Sequence, residues 1–135
     1  MKIVLDTNCL LRSVLTKSEY HCIIRALQKG IYILCYSHEI LTEYEELLMR
    51  FYPATLTYNL LNFIINSPHT RQVSPHYKWN LIAADPDDNK FVDCALNAGA
   101  DYIVTNDRHF KILNRIKFPP INVIDIDAFN EMVCG

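Results

Sequence analysis

Short apolar runs rich in β-branched residues recur along this chain, and a stretch with helical patterning separates each from the next. Lys2-Ile3-Val4-Leu5, closed by Asp6, reads as a fully buried strand. Residues 31–36 and 102–105 read the same way, residues 121–126 supply a last strand, and a short one is expected near Gln72 and Val73. Between them, helices are expected over residues 18–29, closed by Gly30, and over residues 37–51, with Ser37 as N-cap. A helix entered at Pro53 is stopped by Asn66-Ser67-Pro68, and another runs from Asp87 to Gly99. A short helix over residues 108–115 is broken by Pro119-Pro120, and Asp127 can cap a final short one. Strands separated by helices need crossover connections, which predict a mainly parallel sheet covered on both faces. The class is α/β.

A length of 135 residues predicts a single domain with enough chain to bury a core. No apolar run approaches the roughly 20 residues that cross a bilayer. An acid at position 6 comes too early for a signal peptide, so a cytoplasmic protein is expected. The five cysteines, Cys9, Cys22, Cys35, Cys94 and Cys134, are odd in number and form no C-x-x-C pair. They are expected to be reduced packing residues. A formal charge of −2 does not favour nucleic-acid binding unless metal or a local basic cluster offsets it.

The acids are the informative residues. In open parallel sheets, ligands bind beyond the carboxyl ends of the strands where strand order reverses. Asp6 directly follows one buried strand and Asp107 follows another by one residue. Either alone could be a helix cap, but two would open onto the same sheet edge. In the helix after Asp87, Phe91, Val92, Ala95 and Ala98 share one face at about 100° per residue, and Asp88 lies within that arc. An acid opening an apolar face is costly to bury without a partner, which marks Asp88 as a site residue. Asp93 falls opposite, with Asn89 and Asn97, and reads as a solvated acid. Asp85 and Asp87 read as loop and cap residues. Glu43 borders the apolar arc of Ile40, Leu41, Tyr44, Leu47, Leu48 and Phe51, and periodicity leaves it divided between site and surface.

Four carboxylates in one crevice repel one another unless protons or cations intervene. Hard oxygen ligands suit Mg²⁺ or Mn²⁺, which can activate a water and stabilise a leaving oxygen without a covalent residue.

Val4-Leu5-Asp6-Thr7-Asn8, Glu43, Asp85-Pro86-Asp87-Asp88-Asn89-Lys90-Phe91 and Tyr102-Ile103-Val104-Thr105-Asn106-Asp107 together resemble PIN domains. The likeness is to prokaryotic toxin components of toxin–antitoxin pairs, relatives of the VapC toxins, and it spans nearly the whole chain. The resemblance implies a PIN-like three-layer sandwich over residues 1–135 and a metal-dependent endoribonuclease. It places Asp6, Glu43, Asp88 and Asp107 at the catalytic, metal-holding acids, with Mg²⁺ or Mn²⁺ as cofactor. Asp88 is preferred to Asp93 because it stands seven residues before Ala95, as in VapC-like sequences. Asn8 and Thr105 match supporting polar positions. Asn106 departs from the pattern, since many relatives carry Gly or Arg there. An RNA substrate, a protein antitoxin and a homodimer are the implied partners, with no membrane.

Lys90, Arg108 and Lys111 stand near the predicted acidic edge and are candidates for phosphate contact, against the plainer reading of solvated helix charges. His21, His38, His69, His76 and His109 lack metal-ligand spacing and read as surface or capping residues; His109 is the nearest to the acids. Two other classes of function compete. One is a catalytically inactive PIN-fold module that binds RNA or protein, motivated by the acidic balance. The other is phosphoryl transfer through Asp6, weakened by Asn8 where phosphatases carry a second acid.

Overall fold

The computed structural model describes residues 1–75, 79, 81, 82, 86–115 and 121–135. Its strands are β1 (Lys2–Leu5), β2 (Ile33–Tyr36), β3 (Thr70–Gln72), β4 (Tyr102–Val104) and β5 (Val123–Ile124). They form one sheet in the order β3-β2-β1-β4-β5, and every neighbouring pair is parallel. Its helices are α1 (Thr7–Ser13), α2 (His21–Gln28), α3 (His38–Phe51), α4 (Ala54–Asn66), α5 (Asn89–Ala98) and α6 (Ile126–Cys134). Short 3₁₀ turns occupy Pro86–Asp88 and Arg108–Arg115. The helices sandwich the sheet, as the alternation of elements requires.

The centre of the sheet is dry. Ile3, Val4, Leu34, Ile103 and Val104 are fully buried, which is why these strands read as continuous apolar runs. Helix α5 packs against β1, β2 and β4. Local signals behave as their chemistry dictates. The Ser37 side chain accepts from the Ile40 amide at 3.2 Å and starts α3. Gly99, at φ 66°, takes the left-handed turn that ends α5.

Several expectations need correction. Helix α1 lies ahead of the stretch expected to be helical, and α2 begins only at His21. Two of the four buried residues of α1 are polar, Thr7 and Ser13, so hydrophobic periodicity misses it. Residues 108–115 form 3₁₀ turns rather than an α-helix. The last strand stops at Ile124, and Asp125, not Asp127, caps α6 by accepting from the Ala128 amide at 2.7 Å. Asp127 instead accepts from the Tyr20 hydroxyl at 2.7 Å. His76, Asp85, Pro119 and Pro120 lie outside the described residues.

Asp93 is buried, not solvated. Its carboxylate accepts from the Trp79 amide at 2.9 Å, while Asn89 holds both the amide and the carbonyl of Ile82 at 2.8 and 3.0 Å. Asn89 and Asp93, on the polar side of α5, are therefore bonded to backbone of Trp79 and Ile82, while Asn97 stays exposed. Periodicity separates polar from apolar faces, but it does not reveal that a polar face can be buried under peptide groups.

The cysteines also depart from expectation. Cys22 and Cys134 form a disulfide between α2 and α6, with Cα atoms 6.2 Å apart and a sequence separation of 112. Cys9, Cys35 and Cys94 are free and buried, as packing residues should be. Helices α2 and α6 pack together, and that packing meets the distance condition no sequence spacing could display. A crosslink closing so long a loop restricts the unfolded chain and contributes about 2–5 kcal/mol. Non-reduced protein is expected to titrate three thiols after denaturation, and the double variant Cys22→Ser/Cys134→Ser to melt at least about 5 °C lower. Five titratable thiols and unchanged melting would contradict the crosslink.

Candidate active site

Strand order reverses between β1 and β4, because the chain builds outward through β2 and β3 on one side and through β5 on the other. The two strands run in register, Ile3 beside Tyr102 and Leu5 beside Val104, and the Asp6 amide donates to the Val104 carbonyl at 2.9 Å. Asp6 and Thr105 consequently leave the sheet side by side. Asp6 precedes α1 but its side chain makes no capping bond to that helix, so the plain capping role is not what it does. Its carboxylate accepts from the Thr105 hydroxyl at 2.8 Å, and the same hydroxyl oxygen accepts from the Asp107 amide at 3.0 Å. Thr105 thereby ties two of the expected acids to each other.

Glu43 arrives from α3. The Tyr44 hydroxyl donates to the Leu5 carbonyl at 2.6 Å, which fixes that turn of α3 against the end of β1. One Glu43 oxygen then accepts from the Thr7 hydroxyl, and the other from Lys90 Nζ at 3.1 Å. Lys90 also binds the Asp87 carboxylate at 2.9 Å. Burial opposes the charge on Lys90, but its bonds to Asp87 and Glu43 outweigh that, and its pKa moves up. Lys90 was a candidate phosphate contact. With two carboxylates on its ammonium and its side chain only 10% exposed, it serves instead as an internal counter-charge.

Asp88 sits in the 3₁₀ turn just ahead of α5, half-buried. One ligand atom each from Asp88, Asp107 and His109 lie within 4.8 Å of one another. Asp6 feels the remaining acids: burial pushes its carboxyl pKa up, the Thr105 bond opposes this, and the charges of Glu43 and Asp107 push it further up. Asp107 thus belongs to two overlapping groups, with Asp6 and Glu43 on one side and with Asp88 and His109 on the other. Asp107 is therefore the residue through which the two groups meet.

Of the supporting residues, Thr105 is buried between acids, whereas Asn8 is exposed on the first turn of α1. Asn106 accepts from the Ile126 amide at 3.0 Å and so anchors the start of α6. Arg108 and Lys111 are both exposed. Lys111 borders a cleft of about 540 Å³ with Thr105, Asp107, Asn114, Asp125 and Asp127. Glu43 and Lys90 border a smaller one of about 290 Å³ with His38, Thr42 and Asp87. Sequence reasoning missed the Thr7 hydroxyl on Glu43, the Lys90 bridge and the placement of His109. The Lys90–Asp87 spacing of three in a helical start was a usable signal; the long-range pairings had none.

A five-stranded parallel α/β sandwich with carboxylates converging at its switch point defines the class. The PIN domain family model matches residues 2–109, and the chain belongs to that family. Its fold is similar to a chain of the solved structure of VapBC2 from Rickettsia felis bound to a DNA fragment from their promoter. The TM-score is 0.61 at 15% identity, over 93% of this chain and 98% of that one. No curated protein matches in sequence.

Folded-state elevation of the Asp6 pKa has a definite sign in stability. The contribution is fully present below the ordinary value of 3.8 and is lost as pH rises through the raised value. Asp6→Asn keeps an acceptor for Thr105 and removes the desolvated charge. In EDTA at neutral pH this variant is expected to melt higher than the parent, with the gap closing toward acid. A lower melting temperature than the parent at pH 7 would contradict the electrostatic account.

Proposed function

We propose that this protein is a divalent-metal-dependent endoribonuclease that hydrolyses RNA phosphodiester bonds, the toxin component of a toxin–antitoxin pair. The observation that carries the reading is the sharing of Asp107 between two carboxylate groups at the β1–β4 crevice. Membership of the PIN family supports nuclease chemistry, and the VapBC2 neighbour supports an antitoxin partner. A homodimer is the proposed assembly and a single domain over residues 1–135 the proposed organisation.

The donor set suits a divalent cation. Asp6, Glu43, Asp88 and Asp107 are oxygen donors, and Asp6 is buried with its charge penalised by its neighbours. Lys90 offsets Glu43 and Asp87 but bonds to neither Asp6 nor Asp107 among the described contacts, which leaves those acids for metal. We assign Asp6, Asp88 and Asp107 as principal ligands and Glu43 as the fourth acid. Bound there, such an ion would activate water for attack and stabilise the negative charge on the phosphoryl oxygens and the leaving oxygen.

The chain's own residues do the positioning. Thr105 orients Asp6 and fixes the backbone of Asp107, while Thr7 and Lys90 hold the two oxygens of Glu43. Arg108 and Lys111, exposed beside Asp107, are assigned to the RNA phosphates. No nucleophilic side chain is needed.

Purified protein incubated with total RNA and Mn²⁺ or Mg²⁺ is expected to yield discrete fragments. EDTA should stop cleavage, and Asp88→Asn should lower it more than about 100-fold while leaving the melting profile intact. Cleavage by Asp88→Asn at the parental rate would refute the assignment. Metal binding without cleavage of any RNA would favour the inactive binding module.

A further inference from the structure

His109 stands where a fifth ligand would stand. Its ring offers a nitrogen to the group formed with Asp88 and Asp107, all within 4.8 Å, and its Nδ1 lies 3.4 Å from the Asp107 carboxylate. Two ligand bonds of about 2.0–2.2 Å to a common ion put their donors about 3 Å apart when adjacent and about 4.3 Å apart when opposite. Asp88 and Asp107 are half-buried and His109 is exposed, so their side chains have room to close on a common ion. The ring is not consumed by a capping role, because the bond to the Asp107 carboxylate at 2.9 Å comes from the His109 backbone amide. That bond instead fixes the short turn after Asp107, with the imidazole near both Asp107 and Asp88.

Resting on the nuclease reading above, we propose that His109 is a metal ligand and that it makes the site prefer a divalent transition metal over Mg²⁺. An imidazole nitrogen is a good donor to Mn²⁺, Co²⁺ or Zn²⁺, whereas Mg²⁺ takes oxygen donors and water almost exclusively. A site of carboxylates alone would discriminate weakly between Mg²⁺ and Mn²⁺. Replacing one water by a nitrogen shifts the balance toward the softer ion. His109 is thus a specificity-determining residue for the metal rather than for the RNA.

The test is binding of the metals themselves, free of any RNA. Mg²⁺ and Mn²⁺ are titrated calorimetrically into the parent, His109→Ala, His109→Gln and Asp88→Asn, and the Mn²⁺ forms are examined by electron spin-echo for coupling to imidazole ¹⁴N. The parent should bind Mn²⁺ at least about tenfold more tightly than Mg²⁺ and show the nitrogen coupling. Both His109 variants should weaken Mn²⁺ by about tenfold, leave Mg²⁺ within about twofold, and lose the coupling. Asp88→Asn should weaken both ions. Unchanged Mn²⁺ affinity and coupling in the His109 variants, with binding still lost in Asp88→Asn, would overturn the role of His109 and leave the nuclease reading standing. Equal weakening of both ions by His109→Ala would also overturn it, since that is what a structural residue does. A parent that binds neither ion would overturn both readings.

Discussion

The parallel pairing of β1 with β4 decides what the rest of this molecule can do. It joins the first strand to one that lies about a hundred residues later, and it sets Leu5 against Val104 so that Asp6 and Thr105 emerge together. The amide of Asp6 completes the ladder on the Val104 carbonyl, leaving its side chain free of any capping duty. A slip of one residue would turn Asp6 toward the other face and bury a different set of side chains, because strand side chains alternate. Everything in the crevice, from the Thr105 bridge to the approach of Glu43 on α3, is built outward from that register.

The crevice then faces an electrostatic problem, and its neighbours show how it is contained. Burial, and after it the like charges on Glu43 and Asp107, raise the protonation tendency of Asp6, the kind of cost that clusters at functional sites. Hydroxyls from Thr7 and Thr105 bond to carboxylates without adding charge, so they orient the acids but do not neutralise them. Lys90 does neutralise, and the carboxylates it meets are those of Glu43 and Asp87. The remaining negative charge sits on the acids that share Asp107. An overall charge of −2 is compatible with binding a polyanion only if that local charge is met by cations, and Arg108 and Lys111 are exposed single charges close to Asp107 in sequence.

Much of this arrangement was legible in the sequence. Ile3-Val4-Leu5 and Ile103-Val104 declare buried strands by composition, and Ser37 and Gly99 mark helix ends by side-chain chemistry and backbone freedom. Strand–helix alternation implied the parallel sheet, and the acids just past two strands implied a shared edge. What stayed hidden are the pairings set by tertiary contact. Asp93 looked solvated because nothing in its periodicity reveals the Trp79 amide that covers it. Cys22 and Cys134 are at opposite ends of the chain, and only the packing of α6 on α2 makes them neighbours. Lys90 and Glu43 are 47 residues apart, and His109 gains meaning only once Asp88 is brought across to it.

The central claim is that these carboxylates exist to hold a divalent metal at the β1–β4 crevice. Anomalous scattering from a crystal equilibrated with Mn²⁺ tests it most directly. The account predicts a peak within about 2.0–2.3 Å of carboxylate oxygens of Asp88 and Asp107, with Asp6 in reach of the same ion or its water. A crevice without a peak at saturating Mn²⁺, its carboxylates held as they are by Thr7, Thr105 and Lys90 alone, would contradict it.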